Sequence, residues 1–218
     1  MRPKPAWCCF AAVLVLETSP VPALNNMDTD IPHASSVAPL QVKVSNDPGH
    51  AAIDNLGASR AHLGDAGKLS TFGQFVGIWD MDIKLFDRSH RVVYHQPGVW
   101  MFSWILDGRA IQDVLVCPPR PGSRNVQRGI GTTVRFFDET KGVWKITFMA
   151  PTSATYVQLE GGARGDSIIL EGRDMDGSQL RWTFTEITST SFHWSGLSSP
   201  DDGKSWWVEQ EMSASKRP

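Results

Sequence analysis

Residues 75–87, FVGIWDMDIKLFD, give the clearest evidence for the fold. From Gly77 onward, apolar and polar side chains alternate, which is the period of a β-strand with one buried face. Trp79 and Met81 fall on the apolar face, while Asp80 falls on the polar face. The segment therefore predicts a half-buried strand that begins with the tripeptide Gly-Ile-Trp.

The same alternation continues to residue 213 and predicts ten strands. They lie at 78–87, 98–106, 109–117, 130–137, 142–149, 153–160, 166–172, 179–186, 190–197 and 205–213. Turn residues such as Asp107-Gly108 separate them, and Asp-Gly between alternating segments is a strong hairpin signal. The pattern predicts an all-β fold, an up-and-down antiparallel barrel whose closure removes free edges. A sandwich of two sheets is the alternative.

The region before the barrel differs in composition. Residues 1–23 combine a basic start, an apolar run and a small-residue exit, and this predicts a signal peptide and entry into the secretory pathway. The apolar run, 6–16, is too short to span a bilayer, so no stable membrane insertion is expected. Residues 24–68 are predicted as a linker with a possible short helix, and 69–218 as the barrel domain. Residues 69–76 can form a helical turn that packs at the barrel mouth.

Composition limits the possible partners. The formal net charge is −2, which gives no basic face and argues against a nucleic-acid partner. The chain has nine Trp and ten Phe but two Tyr. Because an indole is a large apolar group with a single donor, the interior is expected to be lined with Trp rings. The composition does not indicate an oligomeric state.

Counting across the hairpins assigns side chains to the two faces of the wall. The Asp107-Gly108 turn places Phe102 opposite Asp113, and the turn at 138–142 places Phe136 opposite Trp144. A slip of one residue would invert a strand. On this register Trp207, Arg135, His193 and Glu209 face outward. The inner face is the predicted site for a hydrophobic ligand and contains Trp79, Trp100, Phe102, Trp104, Trp144, Trp182, Trp194, Trp206 and Gln210.

An interior rich in indoles has two interpretations, a solid aromatic core or a cavity for a hydrophobic small molecule. Eight strands make a barrel that side chains just fill, and ten strands leave more room. Because protein interiors are close-packed, larger side chains or a ligand must occupy that room.

Several segments together resemble a known family. Gly77-Ile78-Trp79 is similar to the Gly-x-Trp signature of lipocalins and related calycins. The strings LDGRAIQDV (106–114), GTTVRFFD (131–138), WKITFMAP (144–151), LRWTFTEIT (180–188) and SFHWSGLSSPDDGKSWWVEQEM (191–212) resemble a family of uncharacterised lipocalin-like proteins. The resemblance implies a small β-barrel and no particular activity.

The resemblance also implies two details. In lipocalins a late Arg packs on the signature Trp, but the last predicted strand here offers no inward Arg. Ten-stranded haem-binding relatives use a late His as the iron ligand. The last His here, His193, faces outward, so neither haem nor another cofactor is expected.

Two residues are candidates for chemistry. Asp113 falls on the indole face, where desolvation favours the neutral carboxyl and suits it to general acid/base catalysis. His193 could be oriented by Glu209 on the next strand for proton transfer. Asp80 and Asp82 share a face, but a third ligand for a cation is missing, so no metal site is expected.

Three functions fit these residues. The first is a cofactor-free cyclase, isomerase or dehydratase that folds a terpenoid or polyketide against the indoles, with Asp113 moving a proton. The alternative is a non-catalytic secreted carrier or sensor of a hydrophobic small molecule. The third is a solid structural or interaction domain.

Overall fold

The protein is described by a computed structural model that covers residues 47, 49–119 and 128–218. The predicted signal peptide and residues 24–46 and 48 of the predicted linker lie outside these residues. Residues 47 and 49–55 belong to a separate compact unit, in which helix α1 (Ala51–Leu56) begins. The described residues from Leu56 onward belong to the unit that contains the barrel. No helix in the described part of the chain is long and apolar enough to cross a membrane.

Ten antiparallel strands form the barrel, and each corresponds to one predicted strand. They are β2 (Gly77–Phe86), β3 (Val92–Ile105), β4 (Ala110–Cys117), β5 (Gly129–Asp138), β6 (Val143–Ala150), β7 (Thr155–Arg164), β8 (Ser167–Arg173), β9 (Gln179–Thr185), β10 (Ser191–Ser199) and β11 (Trp207–Lys216). A two-residue strand, β1 (Gly57–Ala58), pairs with the end of β3. A single turn of 3-10 helix, Pro151–Ser153, joins β6 to β7.

The ten strands close into a ring. Each strand pairs with its neighbours in the chain, and β11 returns to pair with β2. Closure gives every barrel strand a partner on both sides, which satisfies the backbone along both edges. The predicted all-β barrel is confirmed, and the alternative of two separate sheets is wrong.

Helix α2 (Ala66–Gly73) closes one end of the barrel. Phe72 and Phe75 are fully buried among rings from the strands, with Phe72 4.8 Å from Trp144 between ring centres. Gly73 lies against Trp104, because a Cβ at this position would be 2.7 Å from the indole. The predicted helical turn at the barrel mouth is therefore present. We call the rings packed below it the plugged end: Phe72, Phe75, Trp79, Phe184 and Phe192.

The signature Trp79 lies at the plugged end and is fully buried. Its indole N–H donates to the Phe75 carbonyl at 2.7 Å. The Lys216 ammonium lies 5.1 Å from the centre of the ring, within the range of a cation–π contact. β11 extends three residues beyond the predicted strand, and its last residue, Lys216, takes the position over the Trp that the resemblance gives to an Arg. Gly77 has φ +135°, and a Cβ there would be 3.0 Å from Lys216.

The register of β5 differs from the prediction by one residue. Phe137, not Phe136, lies opposite Trp144, because Asp138 pairs with Val143 and the turn contains four residues. Phe136 consequently points outward and is 49 % exposed, while Arg135 turns into the barrel and is 0 % exposed. The outward placement of Arg135 in the sequence analysis is wrong. Adjacent Phe residues made both faces of this strand look apolar.

A β-bulge inverts the beginning of β11. The register shifts between Gly196 and Leu197 of β10, where Glu209 is the extra residue on β11. Trp207 lies opposite the buried Ser198 and shares its inner face, whereas Trp206 precedes the strand and lies outside the wall. The predicted orientations of Trp206 and Trp207 are both wrong, since no feature of the sequence marks the extra residue.

Candidate binding site

A small cavity lies at the middle level of the barrel, beyond the plugged end. Its volume is about 20 Å³, which is room for about one water molecule. Aromatic and aliphatic side chains form most of its wall, and three polar side chains interrupt them. The lining residues are Trp100, Asp113, Leu115, Thr133, Phe148, Trp182, Trp194, Gln210 and Met212.

Several polar atoms on this lining have no hydrogen-bond partner among the described residues. The indole nitrogens of Trp100 and Trp194 are buried without an acceptor. The amide nitrogen and oxygen of Gln210 are also without partners, and this side chain is 1 % exposed. Buried polar groups are nearly always hydrogen-bonded, so a cluster of unpartnered ones around one cavity calls for an explanation.

Asp113 forms a buried ion pair with Arg135. Oδ2 of Asp113 lies 2.5 Å from Nη2 of Arg135, and the two side chains are 2 % and 0 % exposed. The angles of this contact do not make a hydrogen bond, which leaves Oδ2 and the guanidinium nitrogens without hydrogen-bond partners among the described residues. The backbone N–H of Thr133 donates to Oδ1 of Asp113 at 3.2 Å.

Arg135 is held between two rings of the interior. Its guanidinium carbon lies 4.9 Å from the ring centre of Phe72 and 5.3 Å from that of Phe102. The side chain therefore contacts the Phe72 ring of α2 on one side and the carboxylate of Asp113 on another. It connects the plugged end to the cavity and is not itself on the cavity lining.

The ion pair changes the chemistry that the sequence suggested for Asp113. As predicted, this residue lies opposite Phe102 and on the inner face. The carboxyl is not the isolated group that the sequence suggested, because the buried Arg135 guanidinium lies against it. A carboxylate held in this way is poorly suited to act as a general acid.

His193 lies apart from Asp113. It is on the outer face of β10, as predicted, between the inward residues Phe192 and Trp194. The residues opposite it are Thr185 and Ser213, so the predicted pairing with Glu209 is wrong. The two predicted catalytic residues do not come together.

The predicted ligand-binding residues fall into three groups. The cavity lining includes Trp100, Trp182, Trp194 and Gln210. The remaining inward residues pack elsewhere in the core, mainly toward α2: Trp79, Phe102, Trp104 and Trp144. Trp206 lies outside the barrel wall, where its ring centre is 4.3 Å from the Arg181 guanidinium. The structure therefore gathers four of the predicted residues around one space.

Sequence reasoning missed Arg135 and the smaller lining residues. A signal for Arg135 was available, because a buried carboxylate requires a counter-charge from a nearby strand. Arg135 is the one Lys or Arg in β3 and β5, which are the strands on either side of Asp113. It lies next to Thr133, the residue opposite Asp113, along the same inner face.

The acidic pair considered for a cation does not form a metal site. Asp80 accepts hydrogen bonds from the Arg217 guanidinium, which lower the pKa of this carboxyl. The Asp82 carboxylate contacts the His95 imidazole. Among the described residues no group of three or more His, Cys, Asp or Glu side chains is arranged to hold a metal ion.

The fold is that of a small lipocalin-like barrel. No protein-family model matches the chain. No curated protein matches it either.

Comparison with solved structures finds proteins of similar fold. Rv2717c from Mycobacterium tuberculosis superposes with a TM-score of 0.50 at 11 % identity, over 69 % of this chain and 98 % of that one. The S-type phycobiliprotein lyase CPES from Guillardia theta gives a TM-score of 0.49 at 11 % identity, over 68 % of this chain and 92 % of that one. At this identity the likeness to Rv2717c is one of fold.

Proposed function

We propose that the barrel binds a small, mostly apolar molecule at its middle level and acts as a carrier or sensor. The observation that carries this proposal is the cavity lined by Trp100, Trp182 and Trp194, around which buried polar atoms have no partners in the described part of the chain. Apolar walls with a few convergent polar groups are the usual composition of a small-molecule site.

The cavity must enlarge to take more than a water molecule, and its lining allows this. Met212 has an unbranched, flexible side chain that adapts to different volumes. The Trp194 ring lies over Gly196, where a Cβ would be 2.7 Å from it, and the Phe148 ring lies 2.9 Å from a Cβ built on Gly131. These glycines let both rings lie directly on the backbone, so any enlargement depends mainly on the flexible Met212 side chain.

The same geometry favours binding over catalysis. Asp113 is paired with Arg135, and His193 lies on the other side of the wall. Asp113 nevertheless lines the cavity beside Trp100 and Trp182, which supports a second candidate, a cofactor-free isomerase or cyclase. Under that candidate, Asp113→Asn abolishes turnover of a bound substrate while its affinity stays unchanged.

Binding is tested by titrating the full chain with cyclohexanone and methylenecyclohexane while Trp fluorescence is recorded. We expect saturable changes with at least one of these probes. Leu115→Phe fills the cavity from its wall and should abolish the response. Val114→Phe adds the same ring to the outer face of the same strand and should leave it intact. No saturable response to either probe, or an equal response from Leu115→Phe, rejects the proposal.

Two further predictions from the sequence stay proposals. Membership of the uncharacterised lipocalin-like family is supported by the shared fold. Secretion is supported by the composition of residues 1–23. The N-terminal residue of protein recovered from a secreting host tests the second. Cleavage after Ala23 supports it, and an intact N-terminus contradicts it.

A further inference from the structure

The polar atoms of the cavity define the chemistry of what it binds. We infer that the ligand carries an uncharged carbonyl oxygen that accepts hydrogen bonds from the indole N–H groups of Trp100 and Trp194. This inference rests on the proposed binding function and assigns the ligand's polar group.

The unpartnered polar atoms of the cavity lining are three donor nitrogens and two acceptor oxygens, and one of these oxygens is Oδ2 of Asp113. An indole nitrogen can only donate, and both Trp100 and Trp194 direct an unpartnered one into buried surroundings. Gln210 adds two N–H donors and one acceptor. The two indoles line the same space, with ring centres 6.4 Å apart and planes at 87°. A ligand atom that satisfies them must therefore be an acceptor.

Other indoles of the barrel show both arrangements, since the Trp207 N–H is also buried without a partner among the described residues although Trp207 does not line the cavity. The Trp79 N–H is equally buried but donates to the Phe75 carbonyl at 2.7 Å. Trp206, outside the wall, donates to the Gly203 carbonyl at 3.1 Å. The N–H groups of Trp79 and Trp206 find acceptors within the fold, whereas those of Trp100 and Trp194, two residues of the cavity lining, have none among the described residues.

The charge next to the cavity selects an uncharged acceptor. Asp113 lines the cavity, while its counter-charge Arg135 lies behind it, between Phe72 and Phe102. A carboxylate ligand would lie beside the Asp113 carboxylate and lose its own hydration, and both effects oppose binding. A ketone, aldehyde, ester or amide oxygen accepts the same hydrogen bonds without either penalty.

One ordered water is the competing occupant, because the cavity has room for about one. A water molecule would accept from both indoles and donate to Asp113 and Gln210. A carbonyl that displaces it keeps the two accepted hydrogen bonds, whereas a hydrocarbon of the same shape loses them. Matched probes therefore separate the two occupants.

The experiment records ¹⁵N–¹H spectra of the indole groups in the full chain during titration. The probes are cyclohexanone, its hydrocarbon analogue methylenecyclohexane and the anion cyclohexanecarboxylate. We expect cyclohexanone to move the Trp100 and Trp194 resonances downfield and to leave Trp79 unchanged. Affinity should fall about tenfold or more for the hydrocarbon and further for the anion, since each lost hydrogen bond costs roughly three- to tenfold.

The variants Trp100→Phe and Trp194→Phe keep an apolar ring and remove one donor each. Each enlarges the cavity for both probes but removes a hydrogen bond from the ketone alone, so each should weaken cyclohexanone relative to methylenecyclohexane by roughly three- to tenfold. Equal affinities of the ketone and the hydrocarbon overturn the inference and leave the proposed binding intact, as does tighter binding of the anion. If no probe perturbs any interior indole, both proposals are rejected.

Discussion

The plugged end and the cavity level are both built mainly from aromatic side chains, but they differ in whether the buried indole N–H groups have hydrogen-bond acceptors. At the plugged end Trp79 donates to Phe75 and lies beneath Lys216. At the cavity level Trp100 and Trp194 are as deeply buried, yet their N–H groups have no acceptor in the described residues. A buried donor without a partner costs about 1–3 kcal/mol. The comparison separates indoles that stabilise the fold from indoles that are available to a ligand.

Arg135 and Asp113 connect the plugged end to the cavity level. Breaking their ion pair should have the largest effect on the free energy of unfolding. Arg135→Met leaves a buried carboxylate without its counter-charge, for which we expect a loss of about 3–5 kcal/mol in the free energy of unfolding. The double variant Arg135→Met/Asp113→Leu removes both charges and should recover most of that loss. Urea unfolding measures both. A loss below about 1 kcal/mol in the single variant would show that the pair has little structural role.

Removing one large side chain from each level should lower stability in both cases but change probe binding only at the cavity level. Phe72→Ala is expected to cost about 3–5 kcal/mol and Met212→Ala about 2–5 kcal/mol, because both leave a void in a close-packed interior. Only Met212→Ala enlarges the cavity, so only it should tighten the binding of cyclohexanone. Unfolding curves and probe titrations on the same samples test this. Tighter binding by Phe72→Ala would place the ligand at the plugged end.

The same substitution at two indoles should have different effects on stability. Trp79→Phe leaves the Phe75 carbonyl without its buried donor, which should cost about 1–3 kcal/mol beyond the lost ring volume. Trp100→Phe loses the same ring volume but removes a donor that has no partner, so it should cost about 1–3 kcal/mol less than Trp79→Phe. Urea unfolding curves of the two variants measure this difference in stability. When the curves have equal slopes, it is proportional to the difference between their midpoints. Equal losses at the two positions would mean that Trp100 has an acceptor in solution.

The smallest effect is expected in the loop before β11, away from both levels. The Ser205 hydroxyl donates to Asp201 at 2.6 Å, and with the Ser205 N–H and the Ser199 hydroxyl it lowers the pKa of Asp201 to about 2. A lowered pKa stabilises the folded state above the ordinary Asp range, and this contribution disappears as the pH falls through about 2.

Asp201→Asn should therefore destabilise the loop slightly at pH 7 and make no difference near pH 2. The carboxyl ¹³C shift of Asp201 reports its titration directly. A midpoint near 4 would show that the serine contacts do not persist in solution. Cyclohexanone affinity should not change, because this loop does not line the cavity.

The sequence predicted the strands and most of the inner face because alternation and turn residues are local signals. The Asp107-Gly108 turn correctly placed Phe102 opposite Asp113, and the alternation after Gly77 correctly buried Trp79 and Met81. All ten barrel strands correspond to predicted ones. Four of the predicted ligand-binding residues line the cavity.

The errors arose where a single extra residue changed the register. Phe136 and Phe137 are adjacent and both apolar, so alternation could not show which one faces inward. The bulge at Glu209 adds one residue to β11, and its position depends on pairing with β10. These errors hid Arg135, and with it the partner of Asp113. The cavity volume depends on how the rings pack in three dimensions, which periodicity does not contain.

The pairing of β11 with β2 determines when the barrel can form during synthesis. Every other pairing among the ten barrel strands joins consecutive strands, so these hairpins can assemble as the chain emerges from the ribosome. One edge of β2 has no partner until the last strand, β11, pairs with it, and only then does Lys216 lie over the Trp79 ring. Until then an open sheet exposes aromatic surface and two free edges, which are features that promote aggregation. The final ten-residue strand therefore removes both free edges in one step, when it pairs with β2.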